Sequence, residues 1–195
     1  MRLFIALDID EAIRERIARF VEGMRGFAPE ARWVQPESLH VTLKFIGEQP
    51  ADEVEKIKES LRAIPRRTVE IQFRGYGFFP TAKAPRVFWL GIAAGPPLGS
   101  LATAVDEKMA TLGIAKEEHA FSPHLTLARG TGGSGAPGRR KGDAPSRRFE
   151  RLQEKLTTMP ALEFGTMTGR EFFLYQSQLS PKGSKYTKLA GFALE

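Results

Sequence analysis

A tetrapeptide that occurs twice constrains the fold of this chain more than any other feature: His40-Val41-Thr42-Leu43 returns as His124-Leu125-Thr126-Leu127. Two of the three histidines in the sequence head these copies. Both copies lie in apolar runs that predict short strands. Because side chains alternate faces along a strand, each histidine shares a face with the threonine two residues later. The repeat therefore predicts two strands that each present one imidazole and one hydroxyl on a polar face.

Either copy alone is compatible with an ordinary hydrogen-bonded histidine and a threonine favoured by its β-propensity. Two copies in one short chain favour a catalytic interpretation, because two imidazoles that meet across a cleft supply a general acid and a general base. The third histidine, His119, lies outside the repeat beside Glu117 and Glu118 and is interpreted as a surface residue.

Helical and strand patterns alternate along the chain, and their order repeats. Helices are predicted at 11–24, 52–61, 98–112 and 146–157, and strands at 2–9, 69–73, 86–92, 162–168, 171–180 and 186–194, besides the two histidine runs. Residues 75–80 are predicted to form a turn-rich connection.

The spacing of these patterns indicates an internal duplication. The histidines are 84 positions apart, and the same spacing places Val87–Leu90 on Leu3–Ala6. The helices that follow the histidines are 94 positions apart, and the extra residues fall in a glycine-rich stretch. We predict one domain, residues 1–195, with halves of about 1–80 and 85–195. A pseudo-twofold relation between two lobes would set the histidine strands face to face across a central groove.

Charge and composition restrict the partners. A formal net charge of +6 and a pI near 9.7 favour a polyanion such as RNA. The absence of cysteine excludes disulfides and thiolate-bound metals. The lack of cysteine also fits a cytoplasmic protein. No apolar run has membrane-spanning length, so we expect no membrane partner, and we predict a monomer.

A stretch rich in Gly, Ser and Pro, residues 130–142, is predicted to be a flexible loop. It ends in the basic run Arg139-Arg140-Lys141, which we predict to add RNA affinity without taking part in the chemistry. The alternative is a solvated linker.

The residues around the repeat favour acid–base chemistry without a cofactor. Neither histidine has acidic or thiol neighbours at metal-ligand spacing, and no nucleophile elbow, phosphate-cradling loop or dinucleotide fingerprint is present. Cleavage of a phosphodiester needs only a neutral histidine that takes a proton from water and a protonated one that gives a proton to the departing ribose oxygen. Thr42 and Thr126 would donate hydrogen bonds to the non-bridging phosphate oxygens.

Cations and aromatic side chains near the repeat are candidates for substrate binding. Lys44 shares the face of His40 by alternation. Strict alternation places Arg129 on the opposite face of the strand from His124, unless a β-bulge redirects it. Phe45, Phe79 and Tyr186 are candidates to stack a base at the mouth of the groove, although core packing is the ordinary role of such residues.

The paired motifs resemble the His-x-Thr-x motifs of the 2H phosphoesterase superfamily, and within it the chain resembles the RNA 2′,3′-cyclic phosphodiesterases, also called 2′-5′ RNA ligases. The similarity extends nearly end to end and includes the segments Leu3–Ala6, Lys44–Gly47, Pro85–Gly91, Ser122–Arg129, Leu174–Ser177 and Gly183–Tyr186. The basic insertion 130–141 departs from the family pattern.

The resemblance implies an α+β fold of two lobes, with antiparallel sheets lining a central groove and helices packed on the outer faces. It implies metal-independent hydrolysis of RNA 2′,3′-cyclic phosphate ends to 2′-phosphomonoesters, with 2′-5′ ligation as the reverse reaction. His40 would then be the proton donor, His124 the acceptor, and Arg129 a phosphate ligand. Spacing alone leaves the two histidine roles open. The rival interpretations are a 2H enzyme for a small cyclic nucleotide or a 2′-5′ oligonucleotide, and an RNA-binding module with little catalysis.

Overall fold

The computed structural model describes residues 1–130 and 147–195. The predicted loop therefore lies outside the described residues except for Gly130. The helices of the described part are α1 (Glu11–Met24), α2 (Val54–Arg62), α3 (Pro96–Ala110) and α4 (Glu150–Thr157). Its strands are β1 (Arg2–Leu7), β2 (Arg32–Trp33), β3 (Val41–Glu48), β4 (Val69–Phe79), β5 (Val87–Ala94), β6 (His124–Arg129), β7 (Glu163–Gly169), β8 (Glu171–Ser180) and β9 (Gly183–Ala193).

The strands form two antiparallel sheets, which confirms the predicted α+β class. The first sheet has the order β3-β1-β8-β9, and the second has the order β2-β6-β5-β4-β7. Strands β3 and β6, which carry the two repeats, lie in different sheets and contact each other. The repeats therefore meet where the two sheets adjoin.

The sheets do not divide the chain at residues 80–85. Strand β4 pairs with β5 and β7 in the second sheet, whereas β8 and β9 join β1 in the first. The duplication into halves of about 1–80 and 85–195 stays a prediction. The two histidine strands have equivalent partners, since β3 pairs with β1 and β6 pairs with β5, but the alignment differs from the predicted one. Thr42 lies opposite Ala6 and Thr126 lies opposite Trp89, so Val87–Leu90 corresponds to Phe4–Leu7, one residue later than a constant spacing predicts.

Helix formation follows the apolar spacing. In α1 the buried residues are Ile13, Ile17, Val21 and Met24, at intervals of three or four. In α2 they are Val54, Ile57 and Leu61, as predicted. Burial of each such side chain stabilises the folded state by roughly 1.5–3 kcal/mol relative to leaving it exposed. Helix α1 packs against β7, and α3 packs against β3 and β4. The apolar stripes thereby join both sheets into one continuous core.

Strand β4 is longer than the sequence predicts. Residues 75–79, predicted as part of a turn-rich connection, continue the strand, and residues 76–79 pair with β5. Gly75 has φ +74°, a conformation that glycine adopts without steric cost, and the register shifts between Phe73 and Tyr76. The glycine therefore marks a β-bulge inside the strand and does not end it.

Strand β1 is buried on both faces. Leu3, Ile5 and Leu7 face the main core, whereas Phe4 and Ala6 form a second, smaller cluster with Tyr175 on the opposite face. Phe173 and Tyr186 pack against this second cluster. The first sheet thus has an aromatic layer on the side away from the main core. No helix among residues 1–130 and 147–195 is long and apolar enough to cross a membrane.

Candidate active site

The two histidines have the same local geometry. His40 lies just before β3 and its Nδ1 is 2.7 Å from the carbonyl oxygen of Ser38. His124 opens β6 and its Nδ1 is 2.8 Å from the carbonyl oxygen of Ser122. In a neutral imidazole, Nδ1–H then donates to the carbonyl and Nε2 keeps its lone pair for a ligand. Both rings are therefore oriented with the same nitrogen available for proton transfer.

These contacts reveal a signal that the sequence analysis missed. A serine precedes each histidine by two positions, so the repeat is Ser-x-His-x-Thr-Leu and not only His-x-Thr-Leu. The contact uses the backbone carbonyl of the serine, so the local chain path and not the hydroxyl holds the ring.

Aromatic rings enclose His40. Its ring centroid lies 4.8 Å from that of Phe4 and 5.2 Å from that of Tyr186, which meets it edge-on. Burial against these rings penalises the imidazolium form and lowers the pKa of His40 to about 4. The hydrogen bond to Ser38 and the carboxylate of Asp8 act in the opposite direction, and the charge of Arg129 adds to the lowering. His40 is therefore neutral at pH 7 in the absence of substrate.

His124 has a similar but more open environment. Its centroid lies 5.0 Å from that of Phe79 and 6.3 Å from that of Trp89. The indole of Trp89 rests on Gly77, where any Cβ would overlap the ring. Burial also lowers the pKa of His124, and the charge of Arg129 acts in the same direction. Gly77 thus leaves the space for the aromatic layer that packs against His124.

Two β-bulges decide which side chains share a face with the histidines. Ile5 lies opposite Lys44 and Ala6 opposite Thr42, so Leu43 is an extra residue in β3. In β6, Phe88 lies opposite Ala128 and Trp89 opposite Thr126, so Leu127 is the extra residue. An extra residue reverses the alternation beyond it. Both bulges fall on the leucine of the repeat.

The prediction that Lys44 shares the face of His40 is wrong, because the bulge at Leu43 turns Lys44 to the opposite side. Lys44 is 2% exposed. Its Nζ donates to Asp106 Oδ1 at 2.7 Å and to the Ala115 carbonyl at 2.9 Å, and Glu117 Oε1 lies 3.4 Å away. Lys44 joins β3 to α3 and to the segment after α3, and it is not placed to bind a substrate at the histidines.

The bulge at Leu127 brings Arg129 to the histidine face, as the sequence analysis allowed. Arg129 is exposed, whereas Leu127 and Ala128 are buried. Its positive charge lowers the pKa of both His40 and His124. Residue 45 takes the corresponding place in the first copy, since Phe45 lies opposite Phe4 and is 60% exposed. One copy therefore presents a cation and the other an aromatic ring.

The remaining predicted site residues lie around the same centre. Thr42 and Thr126 are half-buried between buried neighbours, and neither hydroxyl forms a hydrogen bond within the described ranges. Tyr186 contacts His40, Phe79 contacts His124, and Phe45 lies 6.1 Å from Phe4. The three aromatic residues considered for base stacking are thus next to the histidines or to a ring that packs on them.

Arg14 is a further residue that the sequence analysis missed. Its Nη1 donates to the Pro36 carbonyl at 2.6 Å, and its Nη2 donates to Asp8 Oδ1 at 2.5 Å. Arg14 thereby fixes the turn that precedes His40 against the end of β1. Nothing in the sequence singles out this arginine, because it lies among other charged residues at the edge of the α1 apolar stripe.

Within residues 1–130 and 147–195, no group of three or more His, Cys, Asp or Glu side chains is arranged to hold a metal ion. The polar side chains gathered at the described site are those of His40, His124, Thr42, Thr126 and Arg129.

Comparison with known families gives a match to the N-terminal half of the chain. A family model described as LigT like Phosphoesterase matches residues 7–89, which include His40 and Thr42. An RNA 2′,3′-cyclic phosphodiesterase of Archaeoglobus fulgidus is 33% identical over 192 residues, covering 98% of this chain and 99% of the relative. The protein of the same name from Methanocaldococcus jannaschii is 35% identical over 193 residues, covering 95% of this chain and 96% of the relative.

Solved structures extend the similarity to the whole fold. TT0787 of Thermus thermophilus matches with a TM-score of 0.74 at 29% identity, covering 100% of this chain and 98% of that chain. E. coli LigT complexed with 3′-AMP matches with a TM-score of 0.76 at 28% identity, covering 99% of this chain and 97% of that chain.

Proposed function

The chain belongs to the LigT-like phosphoesterase family of the 2H superfamily, and we propose that it hydrolyses 2′,3′-cyclic phosphate ends of RNA to 2′-phosphomonoesters. The observation that carries this proposal is the matched histidine pair. Each Nδ1 is held by a backbone carbonyl, which leaves Nε2 for proton transfer, and the charge of Arg129 acts on both rings. The curated relatives named above support the substrate class.

The reaction consists of two coupled proton transfers. His124 Nε2 takes a proton from a water molecule as the water oxygen attacks phosphorus. The bond between phosphorus and the ribose 3′ oxygen breaks, and protonated His40 gives its Nε2 proton to that oxygen. The products are a 2′-phosphomonoester and a 3′ hydroxyl, and exchange with solvent restores the two histidines. The assignment of donor and acceptor follows the family pattern, since the two local geometries are alike. This route requires no metal ion, because each proton transfer has its own histidine.

The anionic phosphate would be bound by three groups on the histidine face. The hydroxyls of Thr42 and Thr126 would donate to the non-bridging oxygens, where charge increases in the transition state. Arg129 would neutralise part of that charge through a charge-assisted hydrogen bond. A bound phosphate also favours the protonated form of a neighbouring imidazole, which offsets the burial that keeps His40 neutral in the unliganded protein.

Aromatic residues around His40 would bind the terminal nucleotide. Phe45 offers an exposed ring for stacking, and base–aromatic stacking contributes about 1–3 kcal/mol per base. Tyr186 has its edge against the His40 ring and would contact the ribose or the base.

The decisive experiment incubates the purified protein, with EDTA present, with an oligoribonucleotide that ends in a 2′,3′-cyclic phosphate. We expect hydrolysis to a 2′-phosphate end, and we expect His40→Ala and His124→Ala proteins to leave the substrate intact on the same time scale. A 3′-phosphate product would contradict the proposed regiochemistry. RNA binding without turnover would favour an RNA-binding module instead.

A further inference from the structure

Two arginines are paired directly across neighbouring strands at the end of β6. Arg32 in β2 lies opposite Arg129 in β6, and the next pair is Trp33 opposite Ala128. Directly opposed residues of an antiparallel pair point to the same face, with Cβ atoms about 4.5–5.5 Å apart. Trp33 and Ala128 are buried and both arginines are exposed. The two guanidinium groups therefore leave the sheet on the same solvent-facing side.

Such a pair is unfavourable by itself, because like charges directly opposite each other on a sheet destabilise it. Neither Arg32 nor Arg129 has a carboxylate partner within residues 1–130 and 147–195 that would relieve the repulsion. An anion between or beside the two groups would turn this repulsion into attraction. Because Arg129 lies in the strand that carries His124 and Thr126, the arginine pair borders the candidate active site.

We infer that Arg32 forms a second phosphate subsite, which binds the phosphodiester that joins the terminal nucleotide to the rest of the RNA. The inference rests on the proposed function, in which Arg129 binds the cyclic phosphate. Arg32 lies on the edge strand β2, next to the strand that carries Arg129. It is then placed to bind the next phosphate along the RNA. Guanidinium groups suit this role, because they bind phosphate through two parallel hydrogen bonds. The subsite would make the protein prefer an oligonucleotide end to a cyclic mononucleotide.

The test compares Arg32→Gln with the wild type on two ligands with the same terminal nucleotide, of which only the first has a phosphodiester on the 5′ side of that nucleotide. One is a fluorescein-labelled hexaribonucleotide ending in a 2′-phosphate, and the other is the corresponding nucleoside 2′-monophosphate. We expect the Kd of the hexaribonucleotide to rise on the order of tenfold, as for loss of one hydrogen bond to a charged group. The Kd of the mononucleotide should stay unchanged. The slope of log K against log salt for the hexaribonucleotide should become shallower by about 0.7, as for loss of one phosphate contact to a single strand.

Two variants serve as controls. Arg67→Gln removes an exposed arginine that precedes β4, at the end of that strand remote from Phe79, and should leave both Kd values unchanged. Arg32→Lys keeps the charge but loses the two parallel hydrogen bonds, so its Kd for the hexaribonucleotide should lie between those of the wild type and of Arg32→Gln. If Arg32→Gln weakens both ligands equally or neither of them, the second subsite is refuted. If the wild type binds both ligands but does not hydrolyse a cyclic-phosphate end, the proposed function fails, whereas the dependence of RNA affinity on Arg32 is still decided by the binding data.

Discussion

At the scale of single residues, burial sets the protonation of His40 and His124. The pKa of His40 falls to about 4 and that of His124 falls as well, mainly because both rings lie against aromatic side chains. The proposed reaction needs one ring protonated and the other neutral. The active form is therefore most populated between the two pKa values, and both lie below the ordinary value of about 6.5.

This protonation predicts the pH dependence of catalysis. For the wild type, the bell-shaped profile of kcat/KM, which reports the free protein, should have its maximum below pH 6.5. The profile of kcat should lie at higher pH, because a bound phosphate anion stabilises the imidazolium. Steady-state rates from pH 4 to 9 test both statements, and a kcat/KM maximum at or above pH 7 would contradict the lowered pKa values.

Arg129 should influence the same profile. Arg129→Gln removes a positive charge that lowers the pKa of both histidines, so the kcat/KM maximum should move to higher pH. The loss of a phosphate ligand should also reduce kcat/KM by roughly 10- to 100-fold, as expected for a charge-assisted hydrogen bond. Arg67→Gln is the matched control. A reduced rate with an unchanged pH maximum would mean that Arg129 acts on the substrate alone.

The two histidines should behave as one unit. His40→Ala or His124→Ala should each lower kcat by about 10²–10⁴, the contribution of one general acid or base. The double variant should lose less than the product of the single losses, because groups that act together are not additive. Thr42→Ala and Thr126→Ala should cause smaller losses. Circular dichroism should show intact folds, and a folded single-histidine variant with wild-type turnover would refute the site.

At the scale of secondary-structure elements, the bulge in β3 places Lys44 on the opposite side of the strand from His40 and Thr42. Lys44 should matter for stability and not for chemistry. Lys44→Met leaves Asp106 and the Ala115 carbonyl without their buried cation and should lower the free energy of unfolding by about 1–3 kcal/mol, less than for a fully buried pair because Asp106 is partly exposed.

Urea denaturation measures the effect of Lys44→Met, and steady-state kinetics at a temperature where the variant is folded should give a wild-type KM. Lys56→Met, which removes an exposed ion pair with Glu53, should leave the free energy of unfolding nearly unchanged, because solvent screens such a pair. A large rise in KM for Lys44→Met at unchanged stability would restore Lys44 as a substrate ligand.

At the scale of the whole molecule, the buried histidine couples folding to pH. The folded pKa of His40 is about 4, whereas the unfolded chain has the ordinary value near 6.5. Between these values the unfolded chain binds more protons, so the free energy of unfolding should decrease as the pH falls from about 6.5 to 4. His40→Gln should flatten this dependence. Urea unfolding from pH 4.5 to 7.5 measures it, and equal slopes in both proteins would show that His40 is not desolvated in solution.

Most of the helices and strands, and the repeated motif that the proposed function rests on, could be predicted from local patterns in the sequence. Periodic apolar residues gave α1 and α2 with their buried stripes, and the repeated tetrapeptide identified His40, His124 and the two threonines as a matched set. These features are local, because helix and strand periodicities act within a few residues and do not depend on the rest of the fold.

Only the tertiary structure decided which neighbours join that set. The bulges at Leu43 and Leu127 appear in the pairing of β3 with β1 and of β6 with β5, and they send Lys44 to the core and Arg129 to the histidines. Pairing of β2 with β6 likewise placed Arg32 beside Arg129, although they are far apart in sequence. Strand register depends on contacts between distant segments, and one extra residue reverses the face of each residue that follows. Alternation along a single strand therefore cannot predict these placements.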